Sequence, residues 1–339
     1  MTFRVRAASN DDFQAIYEMA KLTGGGFTNL PADRGALVEK LIRSEKAFGS
    51  DAQAPADDLY LMVLEDMETG NVRGTCQIFG MVGTQQPFYS YRVTTLTQTS
   101  KALGKTFRAE MLTLCTDFEG CSEVGGLFLH PGERAGGLGL LLARSRYLFM
   151  KQHRRRFANR VLAELRGVID ESGRSPFWDA IGGKFFGLDF READDFNAMY
   201  GTQFIADLMP KTPIYTALIP DTARAVMGVP HPSGRAAMKM LENEGFHYDC
   251  YVDIFDGGPT MSAATDQVRT IRDSREVQLA ETGEDIDGEP MMLAAGRLTQ
   301  FATCYGPMRL LPDGSAALKP ETAEALRIRP GDAFLAMGR

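Results

Sequence analysis

The stretch from Arg134 to Gly139, read as R-x-x-G-x-G, constrains this chain more than any other. It follows an apolar run from Val124 to Leu129 and opens a segment with apolar residues at helical spacing. Strand, glycine turn and helix together make a cradle for phosphate. Glycines at positive φ let the backbone come close to a ligand. The first N–H groups of the new helix have no partner within it, and the helix dipole turns them toward an anion. No Lys-Ser/Thr pair follows the last glycine, so this is not a Walker-type nucleotide loop. The chain also does not open with a strand leading into G-x-G-x-x-G, which speaks against a dinucleotide fold.

The 339 residues are enough for two domains. The net charge of −7 gives no basic footprint for nucleic acid or an anionic membrane, so neither is an expected partner. Five scattered cysteines, Cys76, Cys115, Cys121, Cys250 and Cys304, contain no C-x-x-C pair. Neither a zinc site nor a disulfide framework is expected, and no metal ligands are assigned. No signal-peptide pattern opens the sequence and no apolar run approaches membrane-spanning length, so the expected location is the cytoplasm.

Phe3 to Arg6 reads as a first strand. Ser9 to Asp12 supplies a helix N-cap before the stripe Phe13, Ile16, Tyr17, Ala20, and Gly24 to Gly26 ends that helix. A second helix is predicted over Arg34 to Ala47, and a hairpin over Leu59–Leu64 and Val72–Met81. Pro87 to Thr97 reads as an extra strand or a site loop. Cys121 to His130 is the strand before the glycine turn, and Leu138 to Phe149 the helix after it. Arg160 to Val168 is another strand. Ser175-Pro176 opens a short helix that Gly182-Gly183 closes. Ser233 starts a helix ending at Gly245, and Tyr248 to Phe255 alternates as a strand. Past Asp256 to Pro259 the character changes to short strands, with one small helix at Pro320 to Leu326. This predicts a small β-barrel-like C-terminal domain over 261–339, after a larger domain over 1–260 with a degenerate second half from about residue 186.

The element order and the R-x-x-G-x-G loop resemble the GNAT N-acyltransferase fold. This is an α+β fold in which a mixed, twisted sheet is flanked by helices. The resemblance implies that Leu127, Phe128 and Leu129 offer backbone groups to the pantetheine arm of an acyl-CoA. It implies that Arg134, Gly137 and Gly139 hold its pyrophosphate, and that Val161 to Gly167 is a splayed partner strand. A narrower resemblance covers most of the chain. It rests on Thr23 to Gly26 with Leu30-Pro31, Pro87 to Arg92, Ser122-Glu123 and Ala163 to Gly167. It continues through Gly173 to Trp178, Phe204 to Lys211, Glu244 to Phe246 and Asp253 to Pro259. These blocks are similar to the arginine N-succinyltransferase family. The resemblance implies transfer of succinyl from succinyl-CoA, a co-substrate and not a resident cofactor, to the α-amino group of L-arginine. A related amine such as ornithine, or a non-catalytic subunit, is the alternative. It also implies a homo-oligomer or a pairing with a related subunit.

His231 lies between two prolines just before a helix. Imidazole suits proton transfer near neutrality, yet a loop histidine between two prolines is more often a solvated one. The resemblance places the proton donor here. Many enzymes of the wider fold carry a tyrosine acid in the helix after the splayed strand. This chain has Trp178 at that spacing, and an indole is no acid. Trp178 is therefore read as packing. The basic run Lys151 to Arg156 is read as dipole complementation, with contact to the CoA 3′-phosphate as the alternative. Carboxylates must meet a guanidinium. Among Glu123, Glu164, Asp170, Glu171 and Asp179, Glu164 is the chosen candidate because it interrupts an apolar strand.

Overall fold

The protein is described by a computed structural model covering residues 3–23, 29–133, 136–201 and 203–338. In chain order the strands begin with β1 (Phe3–Ala7), β2 (Leu59–Asp66), β3 (Val72–Phe79), β4 (Ser90–Ser100) and β5 (Lys105–Cys115). Next come β6 (Ser122–Leu129), β7 (Arg160–Glu164), β8 (Ile214–Tyr215), β9 (His247–Val252) and β10 (Pro259–Ala264). The last are β11 (Arg275–Thr282), β12 (Pro290–Ala295), β13 (Ala302–Leu310), β14 (Ala316–Leu318) and β15 (Ala333–Met337). Three helices matter most here: α1 (Phe13–Lys21), α2 (Arg34–Phe48) and α3 (Leu138–Gln152). The chain forms two compact units, neither continuous in sequence. One holds residues 1–80, 122–159 and 264–339; the other holds 81–121 and 160–263.

In the first unit β1, β2, β3 and β6 lie side by side, every neighbouring pair antiparallel. The first two helices start where a carboxylate satisfies a free N–H. The Ser9 N–H donates to Asp12 at 2.8 Å ahead of α1, and the Ala36 N–H donates to Asp33 at 2.8 Å at the start of α2. The apolar stripes of α1 and α2 (Ile16, Met19, Leu37, Leu41) bury against Leu61 and Val63 of β2. Helix α3 packs on β3, where Ser145 Oγ lies 3.6 Å from Cys76 Sγ. The next residue, Gln77, points the other way and bonds Asn29. The alternation of a strand thus divides β3 between an α3 face and a face shared with the segment between α1 and α2.

The C-terminal strands close on themselves in the order β12-β15-β11-β14-β13 and back to β12. Only β11 and β14 run parallel among these pairs. The barrel encloses Val277, Leu279, Leu293, Ala316, Leu318, Leu326 and Phe334. The predicted small barrel is therefore present, as is the α+β architecture. Its strand β13 also pairs with β1, so barrel and main sheet share a strand.

The second unit orders its strands β7-β10-β9-β4-β5-β8. The aromatic stretch from Pro87 is a strand, β4, in a long hairpin with β5 that runs in register from Ser90–Cys115 to Ser100–Lys105. Trp178 is wholly buried between Phe186 and Phe255, ring centroids 5.6 and 5.4 Å away, and its Nε1–H donates to the Leu188 carbonyl at 2.9 Å. It is a packing residue, as expected. Gly182-Gly183 does not close its helix as predicted but opens a second one, Gly182–Phe186. A Cβ at Gly182 would lie 2.4 Å from the Trp178 ring, so glycine is set here by close approach. Strand β7 ends at Glu164, four residues early, because loop groups take over its backbone: Arg166 O accepts from the His231 N–H at 2.7 Å, and the Gly167 N–H donates to Asp256 at 2.7 Å.

His153 ends α3 as a buried, neutral ring. Its Nε2 accepts from the Leu298 N–H at 3.2 Å, which leaves the proton on Nδ1, 3.0 Å from the Phe149 carbonyl. Burial pushes this imidazole from 6.5 down to about 4. The unfolded chain binds the extra proton between those values, so the associated stability is full above pH 6.5 and declines as pH falls toward 4. We expect the loss to reach about 1.4 kcal/mol per pH unit at most. Urea unfolding at pH 7 and pH 5 should show this slope in the wild type and a shallower one in His153→Gln; equal slopes would exclude the assignment.

Candidate active site

The strand that leads to the glycine turn carries a bulge. Gln77 pairs with Gly125 and Thr75 with Phe128, so Gly126 and Leu127 together oppose the single residue Cys76. Gly126 adopts φ +57°, and a Cβ there would meet the Gln77 side chain at 2.8 Å. The Thr75 hydroxyl donates to the Gly126 carbonyl at 3.1 Å and pins the distortion. Beyond it Phe128 packs into the α1/α2 core, while Leu129 turns toward Gly74 and Gly139. Leu127 lies at the bulge itself and is half-buried.

After β6 the chain tightens through His130, whose Nδ1 accepts from the Gly132 N–H at 3.2 Å. Arg134 and Ala135 lie outside the described residues, as do Gly24 to Gly26. Gly136 and Gly137 both take left-handed backbone, φ +71° and +80°, and Gly137 is the N-cap of α3. Gly139 is in the first turn, where a Cβ would touch Leu129 at 3.7 Å. The sequence reading did not foresee Tyr305 of β13, whose hydroxyl donates to the Gly137 carbonyl at 3.4 Å. A barrel residue thus braces the glycine turn. No local pattern around Tyr305 distinguishes it from a core tyrosine.

Over the bulge stands a polar group that the sequence reading named only in part. Gln77 is fully buried, and its Nε2 donates to Asn29 Oδ1 at 2.7 Å. Asn29 in turn bonds Glu123, which is 6% exposed. Lys40 of α2 donates to the Asn29 carbonyl at 3.1 Å. Burial pushes the Glu123 carboxyl up to about 7, against the pull of Lys40, and burial with Arg43 pushes Lys40 down to about 8.

His231, in the second unit, caps the short turn Pro232–Gly234. Its Nδ1 lies 2.7 Å from Ser233 Oγ and accepts from the Ser233 N–H at 3.3 Å, so the neutral ring carries its proton on Nε2. Its loop hangs from two others: the His231 N–H donates to Arg166 O, and the Gly228 N–H to Gly257 O at 2.8 Å. Asp256 clamps those two by accepting from Gly167 and Gly258 at 2.7 and 2.8 Å. Burial first, and then the Arg166 charge, hold the imidazole below its ordinary 6.5.

Glu164 is half-buried at the end of β7, also in the second unit. Asp170 is an exposed turn carboxylate, accepting from Ser172 and Arg174 backbone N–H groups at 2.9 Å each. The basic run is used structurally: Lys151 bonds the Ser274 carbonyl, Arg154 pairs with Asp266 at 2.6 Å, and buried Arg156 bonds Tyr60 Oη at 3.1 Å. Among the described residues no group of His, Cys, Asp and Glu is arranged to hold a metal, and no helix is long and apolar enough to cross a membrane.

The left-handed N-cap is where the glycine turn is most exposed to substitution. Gly137→Val should weaken CoA binding at least tenfold in a protein that still folds, because a β-branched residue resists this φ. Calorimetry with CoA decides it, and unchanged affinity in a folded variant would remove the phosphate-loop assignment.

A profile of the arginine N-succinyltransferase beta subunit matches residues 3–270, and one of that subunit's C-terminal domain matches residues 275–337. An arginine N-succinyltransferase of Salmonella schwarzengrund is 45% identical over 331 residues, 97% of this chain and 95% of that protein. The arginine N-succinyltransferase subunit beta of Pseudomonas aeruginosa is 40% identical over 327 residues, 96% of this chain and 95% of that one. The solved structure of arginine/ornithine succinyltransferase subunit AI from Pseudomonas aeruginosa superposes with a TM-score of 0.89 at 34% identity, covering 99% of this chain and 98% of that one. The chain is an acyltransferase that belongs to the arginine N-succinyltransferase family.

Proposed function

We propose that this protein transfers the succinyl group of succinyl-CoA to the α-amino group of L-arginine, releasing CoA and N2-succinyl-L-arginine. The observation that carries the reading is the bulged strand running into a left-handed glycine turn at the N-terminus of α3. That arrangement supplies backbone groups for an extended amide-bearing arm and N–H groups for a pyrophosphate. In this reading Leu127, Phe128 and Leu129 line the pantetheine arm. Arg134, Gly137 and Gly139 hold the phosphates, and Glu164 is the carboxylate offered to the guanidinium. The tetrahedral intermediate needs N–H donors at its oxyanion, and the leaving thiolate needs a proton. His231 supplies that proton as imidazolium: its Nε2–H bond breaks, the S–H bond of CoA forms, and the ring is left neutral with Nδ1 beside Ser233. Ornithine is the second acceptor to consider, because the structural relative is described as an arginine/ornithine enzyme.

Two similar proteins are named as subunits, which favours an assembly of more than one chain, either identical copies or this chain with a related one. A cytoplasmic location fits the acyl donor. We further propose a catalytic domain over 1–260, its second half from about residue 186 a degenerate repeat, and a domain over 261–339 that supports without performing the chemistry.

Turnover should fall by about 10²–10⁴-fold in His231→Ala, with little change in succinyl-CoA affinity. The limb of the pH profile governed by this group should lie on the acid side of 6.5, since its pKa is lowered, and should vanish in the variant. Thiol release with succinyl-CoA and acetyl-CoA, each with arginine, ornithine and lysine, is the measurement. Near-normal turnover of His231→Ala across pH would remove the histidine from the mechanism, and indifference to the acyl group would remove the succinyl assignment.

A further inference from the structure

The outer half of the β4–β5 hairpin stands in solvent. Every residue from Thr95 to Arg108 is exposed except Ser100, which is half-buried. The two strands nevertheless stay in register to the last pair, Ser100 with Lys105. A two-stranded ribbon without further cover is marginal in water. Residues directly opposed across a ladder share a face, so Leu96 (opposite Ala109) and Phe107 (opposite Gln98) lie on the same side. Leu96 is 40% exposed, Phe107 54%, and Leu103 in the turn 74%. The ribbon thus carries apolar surface that its own chain leaves wet.

The outer edge of β4 is open for a local reason. Strand β9 covers that edge only at Tyr91 and Arg92, which pair with Val252 and Tyr251. Continuing antiparallel, Cys250 would come to lie beside Val93. Cys250 instead takes left-handed backbone, φ +62°, where a regular strand cannot run on. Beyond it β9 pairs with β10 alone, Tyr248 with Met261 and His247 with Ser262. From Val93 to Ser100 the β9 side of β4 therefore has no ladder partner among the described residues.

A bare row of N–H and C=O groups is a template for another strand, and charges, proline or a bulge normally blunt it. The β5 edge of the ribbon is blunted, by Lys105 and Arg108. The β4 edge is not. Val93 to Ser100 reads V-T-T-L-T-Q-T-S, with no charge, no proline and no glycine, and is rich in β-branched residues. Its register with β5 is unbroken, so no bulge twists it aside.

We propose that the β4 edge of one copy pairs antiparallel with the β4 edge of a second copy, joining two ribbons into one sheet across a two-fold axis. The edge sequence selects this partner. In a two-fold antiparallel pair the segment meets itself, and a charge near its middle would face a like charge. A charge-free segment has no such conflict. The tip sets the direction. Lys101 lies in the turn and Lys105 directly after it, so parallel pairing would crowd both lysines of both copies together, while antiparallel pairing puts the tips at opposite ends. Pairing also brings the Leu96 and Phe107 faces of the two copies side by side. The assignment rests on the reading above that the chain works as an assembly, and gives that assembly its surface.

Analytical ultracentrifugation of the full chain, over a range of concentrations, reads the contact. The wild type should sediment as more than one copy. Leu96 lies near the middle of the edge. Leu96→Lys and Leu96→Glu should each weaken association about 10-fold or more, because each sets like charges against one another. Mixing the two variants should restore it, which a merely damaged ribbon would not do. Thr106→Lys, on the far edge, should leave the mass unchanged. In the wild type, amides between Val93 and Ser100 should be protected from hydrogen exchange when concentrated and lose that protection on dilution. Intact assembly in both Leu96 variants, no recovery on mixing, or exchange that ignores concentration would overturn the β4 pairing and leave the assembly reading standing. A wild type that stays a single chain at every concentration would sink both.

Discussion

The first unit depends on one steric fact: there is no room for a side chain at Gly126. The Gln77 amide occupies the space where a Cβ would be, and φ is positive there, so the strand must take an extra residue. That extra residue resets the alternation of everything after it. Phe128 enters the core under α1 and α2, while Leu129 reaches the side of Gly74 and Gly139. The chain then arrives at the glycine turn in the orientation from which α3 can start at Gly137. Bulge, turn and helix form one geometric unit, and Thr75 and Tyr305 each fix one end of it.

Two polar groups of this unit show how differently buried charge can be used. On β1 and β2, Arg4 and Arg6 share Glu65, and Arg6 also holds Asp12 through two bonds of 2.8 and 2.9 Å. Hydrogen bonds from Arg6 and Arg4 outweigh burial and keep the Glu65 carboxyl below its ordinary range. Every charge in that set faces an opposite one, so it serves the fold. Around Glu123 the balance is reversed. Burial dominates, the carboxyl is raised, and the nearby Gln77 Oε1 has no partner among the described residues.

Much of this was legible in the sequence because it is local. Ser9 and Ser175 cap helices where the pattern put them, and the apolar stripes identify α1 and α3 without tertiary information. The glycine turn is legible because only glycine tolerates the backbone of Gly136 and Gly137. Other features depend on pairs far apart in the chain. The Gly125-Gly126 doublet inside a strand was a signal for a bulge, but its cause, Gln77, lies on β3. Glu123 stood in the candidate set, yet Glu164 looked better because polarity within an apolar strand is visible and burial by Asn29 and Lys40 is not. Strand β5 was missed because its alternation is weak: most of its first half is exposed, and it owes its extended form to pairing with β4.

The shared strand β13 has a consequence for the integrity of the chain. Its first residues, Ala302 to Cys304, are bonded on one side to β1 and on the other to β12. The barrel is thus the cover for the outer side of β1 as well as a module of its own. A chain ending before residue 275 would leave β1 as a bare row of N–H and C=O groups beside a sheet of buried residues. Such a row is a template on which a strand from another chain can add. Loss of the C-terminal region would therefore show itself first as insolubility during synthesis, before any question of activity arose.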